Sequence, residues 1–127
     1  MIKVYNFPPH IKGDTFKGKT FKIDIDGVDI DASKYIIKMQ LRKGMSDAYP
    51  VVYEFSTMEG GGNGRIVPSG SVDGKFSMTP QAKGWDDNIE PGKYVFDMEF
   101  TNIDTDRRST WIKGIWKFNR QTTQNGV

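Results

Sequence analysis

The sequence predicts an all-β domain of the sandwich type, and three observations support this prediction. Apolar and polar residues alternate with a period of two over most of the chain, which is the pattern of strands with one buried face. Turn-forming pairs of Gly, Asp and Pro separate the alternating runs. Aromatic residues, which favour strands, make up 13% of the chain. A length of 127 residues fits one domain, and unequal strand and loop lengths favour a sandwich over a barrel.

Six runs alternate clearly enough to be predicted as strands. Their apolar faces are, in chain order, Phe21, Ile23 and Ile25; Tyr35, Ile37, Met39 and Leu41; Val51, Tyr53 and Phe55; Phe76 and Met78; Tyr94, Phe96, Met98 and Phe100; and Ile112, Gly114, Trp116 and Phe118. Shorter strands are expected near Val28–Ile30 and Arg65–Val67. The segment 34–43, which follows a helix-capping residue at Asp31, also fits a helix. Its alternation is cleaner than its helical apolar stripe, so a strand is predicted there as well.

The predicted sandwich domain occupies residues 14–120. Residues 1–13 include two prolines and a glycine, and they are expected to form an extended arm outside the core. Residues 121–127 are polar and are expected to form a tail. The single histidine, His10, lies in the arm, so we expect it to be exposed to solvent.

Composition narrows the classes of partner. The chain has 18 basic and 16 acidic residues, a formal net charge of +2 and no basic block, so nucleic acid is not an implied partner. The absence of cysteine excludes disulfides, thiol catalysis and cysteine-based zinc sites, and it favours folding in a reducing compartment. No apolar run approaches a membrane span, and the N-terminus lacks the apolar stretch of a signal peptide. We therefore expect a protein that is made in a cytoplasm and has no membrane partner.

No set of residues predicts catalysis or a cofactor. A histidine-based triad would need His10, and an arm does not hold a general base firmly enough. The glycine run at 60–64 precedes a strand-like segment, not the helix and Lys-Ser/Thr pair of a phosphate loop, so a hairpin loop is predicted. Asp97 and Glu99 lie on one face of a predicted strand. Any two acidic residues placed two positions apart on a strand have a separation close to that of paired catalytic carboxylates, so this spacing alone does not indicate catalysis. The chain is therefore predicted not to be an enzyme.

One acidic stretch leaves a calcium site open as an alternative. Asp24, Asp26, Asp29 and Asp31 lie close together, and Asp86–Asp87 in another loop would add ligands. The stretch lacks the glycine and the final glutamate of an EF-hand loop. Exposed carboxylates on a hairpin are the preferred interpretation, and no metal is predicted.

A binding surface is the functional interpretation that the residues support. Trp85 lies in a loop beside acidic residues, and Trp111 alternates to the face opposite Trp116; exposed tryptophans anchor proteins or sugars. Tyr5 and Phe7 give the arm apolar side chains with which to dock on a neighbour. The candidate partner-binding residues are therefore Tyr5, Phe7, Trp85 and Trp111. Covering the second face or the end of the sandwich is the alternative role for Trp111.

The order of the segments resembles a known family. The matching segments are Gly13–Phe16, Lys19–Ile23, Val28–Ser33, Ile37–Arg42, Tyr53–Thr57, Arg65–Ile66, Gly74–Met78, Pro91–Met98 and Thr110–Phe118. Two features carry the most weight: the Gly-x-Tyr-x-Phe-Asp strand from Gly92 to Asp97, and a closing strand with Gly114 at its centre. Across residues 13–120 the chain resembles the immunoglobulin-like domain of tailed-phage virion proteins, typified by the N-terminal domain of the baseplate upper protein.

This resemblance implies an immunoglobulin-like antiparallel β-sandwich with a role in assembly. Such domains act as adaptors that join tail, baseplate or fibre parts, so the expected partners are other virion proteins and further copies of this chain, within the virion. Family members often continue into a receptor-binding or fibre region, whereas this sequence ends soon after its last strand, which favours an adaptor or decoration subunit. The alternative function is that of a carbohydrate-binding module, which requires Trp85 and Trp111 to lie close together on one surface.

Overall fold

The computed structural model describes residues 2–44, 48–58, 63–80 and 84–120, which form eleven strands and one turn of 3-10 helix. The strands are β1 (Lys3–Val4), β2 (His10–Ile11), β3 (Lys19–Lys22), β4 (Asp24–Ile25), β5 (Val28–Asp29), β6 (Tyr35–Arg42), β7 (Tyr53–Ser56), β8 (Gly64–Pro68), β9 (Lys75–Pro80), β10 (Gly92–Asn102) and β11 (Arg108–Asn119). The helical turn spans Ala32–Lys34. The predicted tail at 121–127 and residues 60–62 of the glycine run lie outside the described residues.

Most of the strands belong to one curled sheet. Its strands follow the order β1-β11-β10-β6-β7-β8-β9-β3, with β2 also beside β11, while β4 and β5 form a separate hairpin. The two ends of the sheet approach each other, since the ring of Tyr5, next to β1, lies 5.4 Å from that of Phe21 in β3. The predicted all-β, sandwich-like fold is confirmed. The expectation of a purely antiparallel sandwich is wrong: the sheet is mixed, because β1 and β2 pair parallel to β11, and β7 pairs parallel to β8.

The core lies between the inward faces of the curled sheet. In β6 the alternation places Ile37, Met39 and Leu41 inside with no exposed surface. The same period buries every second residue of β10 from Tyr94 to Phe100. β11 contributes Trp116, one of the largest fully buried side chains. The predicted apolar faces of these central strands are confirmed.

The segment 34–43, for which a helix was the alternative, contains strand β6. Asp31 nevertheless acts as a cap, because its carboxylate accepts a hydrogen bond from the Ser33 amide at 3.1 Å at the start of the helical turn. The turn ends at Tyr35, whose backbone is already extended. The strand buries Ile37, Met39 and Leu41 of the predicted apolar face, and Tyr35 is partly buried.

The first alternating run does not continue as far as predicted. The sequence places Ile25 inside with Phe21 and Ile23, but its side chain is 46% exposed, so that position is wrong. The chain leaves the large sheet after β3 and reverses at Asp26-Gly27, where both residues have positive φ (52° and 82°). Ile25 therefore pairs with Val28 in a small hairpin that the core does not cover.

The segment 1–13, predicted to be an arm outside the core, is instead an edge of the sandwich over its described residues. Between β1 and β2, the amides of Tyr5 and Phe7 donate to carbonyls of β11 at 2.9 and 3.0 Å. Phe7 is 6% exposed and His10 is 7% exposed, so the expected exposure of His10 is also wrong. Pro8-Pro9 interrupts the pairing, which an edge position tolerates because one side of the backbone needs no partner strand.

Gly114 allows the N-terminal segment to lie this close to β11. A Cβ at this position would overlap the carbonyl oxygen of Tyr5 and would come within 3.0 Å of the ring of Phe96. The carbonyl belongs to backbone held by hydrogen bonds, so it cannot move aside as a side chain could. The central glycine of the closing strand therefore has a packing role.

Tyr94 fixes the entry of the chain into β10. Its hydroxyl donates to the carbonyl of Glu90, four residues upstream, at 2.6 Å. Its buried ring packs 5.5 Å from Phe118. A tyrosine near the start of a strand that bonds back to upstream backbone is similar to the tyrosine corner described in β-sandwiches. Burial raises the pKa of this hydroxyl above its ordinary 10.0, Lys43 opposes that shift, and Glu90 adds to it.

Gly114→Ala should destabilise the protein. The added methyl group forces the N-terminal segment away from β11, and overpacking of this kind costs about 1–3 kcal/mol. Equilibrium denaturation measures the loss. Gly44→Ala is the control, because the three atoms nearest its Cβ all belong to the ring of Tyr49, an exposed side chain that can move. Equal losses in the two variants would contradict the close approach of Tyr5 to β11.

The ionisation of Tyr94 should make the fold less stable at alkaline pH. Because its pKa is raised in the folded state, the hydroxyl contributes stability that is complete below its unfolded pKa and is lost as pH rises through the folded value. Tyr94→Phe lacks this contribution, so its stability should fall less between neutral pH and pH above 10.0. Urea denaturation at both pH values gives the comparison. The same fall in both proteins would show that Tyr94 is not responsible.

Candidate functional site

The predicted tryptophan anchors lie at opposite ends of the sandwich. The Trp85 end contains the end of β11 and the start of β10, and there the ring of Trp85 lies 5.8 Å from Phe118. The hairpin end contains the β4–β5 hairpin, the start of β11 and the end of β10. Trp111 lies at this second end, on the order of 20 Å away by strand rise. The two tryptophans do not converge, so the sugar-binding platform expected of them is not formed.

Trp85 closes its end of the core. Its half-buried ring contacts the rings of His10, Phe16, Tyr53, Phe55, Trp116 and Phe118. Its Nε1 is buried and has no hydrogen-bond partner among the described residues. A groove of about 780 Å³ passes beside Trp85 and Phe16, but both rings already pack against Trp116, at 5.7 and 5.0 Å. We therefore interpret Trp85 as a packing residue.

A buried His–Asp pair joins the N-terminal segment to the loop that carries Trp85. Nε2 of His10 lies 2.7 Å from Oδ2 of Asp86, and the same oxygen accepts from the Gly13 amide at 3.0 Å. The two side chains are only 7% and 3% exposed. The ring of Trp85 lies 5.3 Å from that of His10 and helps to enclose the pair. We interpret the pair as a structural tie; sequence reasoning missed it because its two members are far apart in the chain.

A β-bulge turns Trp111 towards the core at the hairpin end. The register of β10 on β11 shifts between Met98 and Glu99, and Trp111 is the extra residue of β11. Its ring packs 4.8 Å from Phe100 and 5.3 Å from Tyr35. Simple alternation, which predicts Trp111 on the outer face, is therefore wrong at this residue. The contacts agree with the alternative role, in which Trp111 covers the end of the sandwich.

A pocket of about 350 Å³ opens beside Trp111, between β1 and the hairpin. The residues that line it are Lys3, Ile23, Asp24, Ile25, Asp26 and Trp111. The ammonium group of Lys3 lies 3.9 Å from Asp24, an exposed contact that contributes little to stability. The pocket thus combines apolar walls with charged groups of both signs.

Among the described residues, six of the eleven exposed large apolar side chains belong to segments at the hairpin end. They are Ile2 (49% exposed), Val4 (65%), Ile25 (46%), Val28 (69%), Val72 (68%) and Ile103 (57%). The turn that holds Val72 is attached to this end because the Gly74 amide donates to the carbonyl of Ile30 at 2.8 Å. Ile103 is held at the same end because its amide donates a hydrogen bond to the carbonyl of Lys34 at 2.9 Å. Single exposed apolar residues are ordinary, whereas a concentration at one end is typical of a contact surface.

The turn that carries Val72 is ordered by Asp73. The hydroxyl of Ser69 donates to this carboxylate at 2.6 Å, and the Lys75 amide donates at 3.0 Å. The Ser69 bond is the main cause that lowers the pKa of Asp73 below its ordinary 3.8, and the Lys75 amide adds to the shift. These bonds serve the shape of an exposed turn.

The predicted anchors of the N-terminal segment are occupied within the fold. Phe7 stacks on Trp116 at 4.1 Å inside the core and is 6% exposed, so little of its side chain is open to a partner. Tyr5 is half-buried, with its ring 5.4 Å from that of Phe21. Nζ of Lys19 lies 4.9 Å from the centre of the Tyr5 ring. Tyr5 therefore links the N-terminal segment to β3.

The acidic stretch is divided among separate partners. Asp24 faces Lys3, Asp29 lies 3.5 Å from Lys22, and Asp31 caps the helical turn. In the part of the chain that the structure describes, no three His, Asp or Glu side chains are placed to hold a metal ion together. The calcium alternative therefore gains no ligand set from the described residues.

The outer face of β10 and β11 carries a feature that sequence reasoning missed. Lys93 and Lys117 are direct cross-strand partners, and both are exposed. Neither forms an ion pair with a carboxylate of the described residues. Like charges that face each other across strands are unfavourable. The next rung on the same face is Val95 opposite Ile115, and both are partly exposed.

Comparison with known proteins adds no relative from which function could be transferred. No protein-family model matches the chain, and a search of curated proteins finds no match.

Among the described residues, no helix has the length and apolar character needed to cross a bilayer. The functional argument therefore rests on the two ends of the sandwich and on the resemblance of the segments.

Asp86→Ala should destabilise the protein by about 1–3 kcal/mol, because it leaves the ring of His10 and the amide of Gly13 without their buried acceptor. Chemical denaturation measures the change in the free energy of unfolding. Asp87→Ala is the matched control, since it removes the neighbouring carboxylate from an exposed position. If both variants lose the same small amount, the His10–Asp86 pair does not hold the segment in place.

Proposed function

We propose that this chain is a structural subunit of a bacteriophage virion, an adaptor in the tail, baseplate or fibre assembly that acts through protein–protein contacts. The observation that carries the proposal is the concentration of exposed apolar side chains at the hairpin end, with Val28 and Val4 the most prominent members of the hairpin and of β1. Such a surface lowers the free energy when a partner covers it. At the opposite end, where Trp85 covers the core, three such side chains are exposed: Ile11, Tyr49 and Val51.

The resemblance of the segments supports the same role. It spans residues 13–120, and its two most specific features have packing functions: Gly114 admits the N-terminal segment, and Tyr94 forms the corner at the start of β10. Gly114 and Tyr94 thus stabilise the fold, as expected in a subunit whose function depends on contacts made by its surface. The only histidine, His10, forms a buried hydrogen bond with Asp86, and a subunit that acts through its surfaces requires no further role of it.

The proposed partners are other virion proteins and further copies of this chain, and the proposed location is the virion, after synthesis in the host cytoplasm. The role requires no catalysis, cofactor, nucleic acid or membrane. The carbohydrate-binding alternative was expected to use Trp85 and Trp111 on one surface. It loses that support because the two residues lie at opposite ends of the sandwich.

The composition of phage particles tests this proposal. If the proposal is right, purified particles of the phage that encodes the sequence should contain the chain in a fixed ratio to the tail proteins. Quantitative mass spectrometry of the particles provides the measurement, with a replication protein from the same phage genome as the negative control. Absence of the chain from particles that contain the tail proteins would rule out a virion subunit.

A further inference from the structure

The β4–β5 hairpin presents an apolar pair that nothing in the described chain covers. Ile25 and Val28 face each other across the hairpin and are 46% and 69% exposed. Such a cross-strand pair stabilises a sheet when its side chains pack against a further layer. The hairpin is also acidic: residues 24–31 include Asp24, Asp26 and two further aspartates but no basic residue. Its exposed face is thus apolar, and the negative charge around it is only partly offset by Lys3, which faces Asp24, and by Lys22, which faces Asp29.

The outer face of β10 and β11 has the complementary composition. Val95 and Ile115 form a partly exposed apolar rung, and Lys93 opposite Lys117 forms the adjoining rung. These two lysines have no acidic partner in the described part of the chain, so their mutual repulsion is not relieved within it. An acidic partner with an apolar centre would relieve the repulsion and cover the rung. We call Lys93, Val95, Ile115 and Lys117 the receiving face.

We propose that the hairpin of one copy of this chain docks on the receiving face of a second copy. The Ile25–Val28 pair would cover the Val95–Ile115 rung, and the hairpin carboxylates would approach the lysine rung. Each surface has an apolar rung with charge beside it. The hairpin has more carboxylates than facing lysines, and the receiving face has the Lys93–Lys117 rung on one side of Val95–Ile115 and Asp97 opposite Lys113 on the other. The excess charges are opposite in sign, which favours this pairing over hairpin against hairpin. This inference rests on the proposed assembly role and assigns the surfaces that carry it.

The placement of the two surfaces makes the contact heterologous. The hairpin lies at one end of the sandwich, while Lys93 and Lys117 lie near the start of β10 and the end of β11, at the Trp85 end. A contact between different surfaces of identical subunits leaves one surface free at each end of a dimer. Further copies then add until a ring closes or a filament grows.

Two variants that each block one surface test the contact. Val28→Asp places a charge in the apolar pair of the hairpin, and the double variant Lys93→Glu/Lys117→Glu reverses the charge of the receiving face. The substituted residues are exposed, so both proteins should fold, which circular dichroism verifies. Each variant alone should associate at least about tenfold more weakly than the wild-type chain. Light scattering and sedimentation over a range of concentrations give the mass of each species.

Mixing the two variants is the decisive step. The Val28→Asp protein keeps an intact receiving face, and the double-lysine variant keeps an intact hairpin, so an equimolar mixture should form a one-to-one dimer that grows no further. High ionic strength should weaken this dimer, because its charges lie at the surface. Val67→Asp is the control, since Val67 is 51% exposed on β8 and belongs to neither surface.

The inference would be overturned by a wild-type chain that stays monomeric at high concentration, by variants that associate as the wild type does, or by a mixture that remains monomeric. If Val67→Asp weakens association as much as Val28→Asp, the hairpin is not the docking element. These outcomes are separate from the composition of phage particles. A chain found in particles but unable to form the mixed dimer would retain the virion role and lose this contact.

Discussion

The parallel pairing of the N-terminal segment with β11 is the constraint on which the rest of the structure depends. β11 is bonded to β10 on one side and to this segment on the other, so its inward side chains are enclosed from both directions. Phe7 reaches the core from this segment and stacks on Trp116 at 4.1 Å. Burial of apolar surface is the main source of stability in a fold of this size, and the pairing is possible only because Gly114 has no side chain.

The same pairing organises both ends of the sandwich. At one end, β2 carries His10 to Asp86 and so holds the loop that places Trp85 over the core. At the other end, Lys3 of β1 lies beside Asp24 of the hairpin. The closed end and the exposed end are therefore attached to one segment. A subunit that acts through its surfaces needs this rigidity, because a docking surface that moves loses free energy when it is ordered on binding.

The alternation of apolar and polar residues is enough to predict the central strands, because each of them buries one face and exposes the other. Strands β6 and β10 were predictable for this reason. Alternation does not predict the N-terminal segment, whose partner strand lies at the other end of the chain and whose pattern Pro8-Pro9 obscures. Nor does it predict the bulge at Trp111 or the Lys93–Lys117 rung, since both are properties of the register between two strands and not of either strand. The candidate surfaces therefore emerge only from the folded chain.

Hydrogen exchange at the amides of Tyr5, Phe7 and Lys12 tests the central claim most directly, because each donates to a carbonyl of β11. Exchange followed by nuclear magnetic resonance resolves each amide separately. If the segment is an integral edge of the sandwich, these three amides should be protected by orders of magnitude relative to an unstructured peptide. Exchange at the rate of a free peptide, with β10 still protected, would show that the segment is an arm and that the core closes without it.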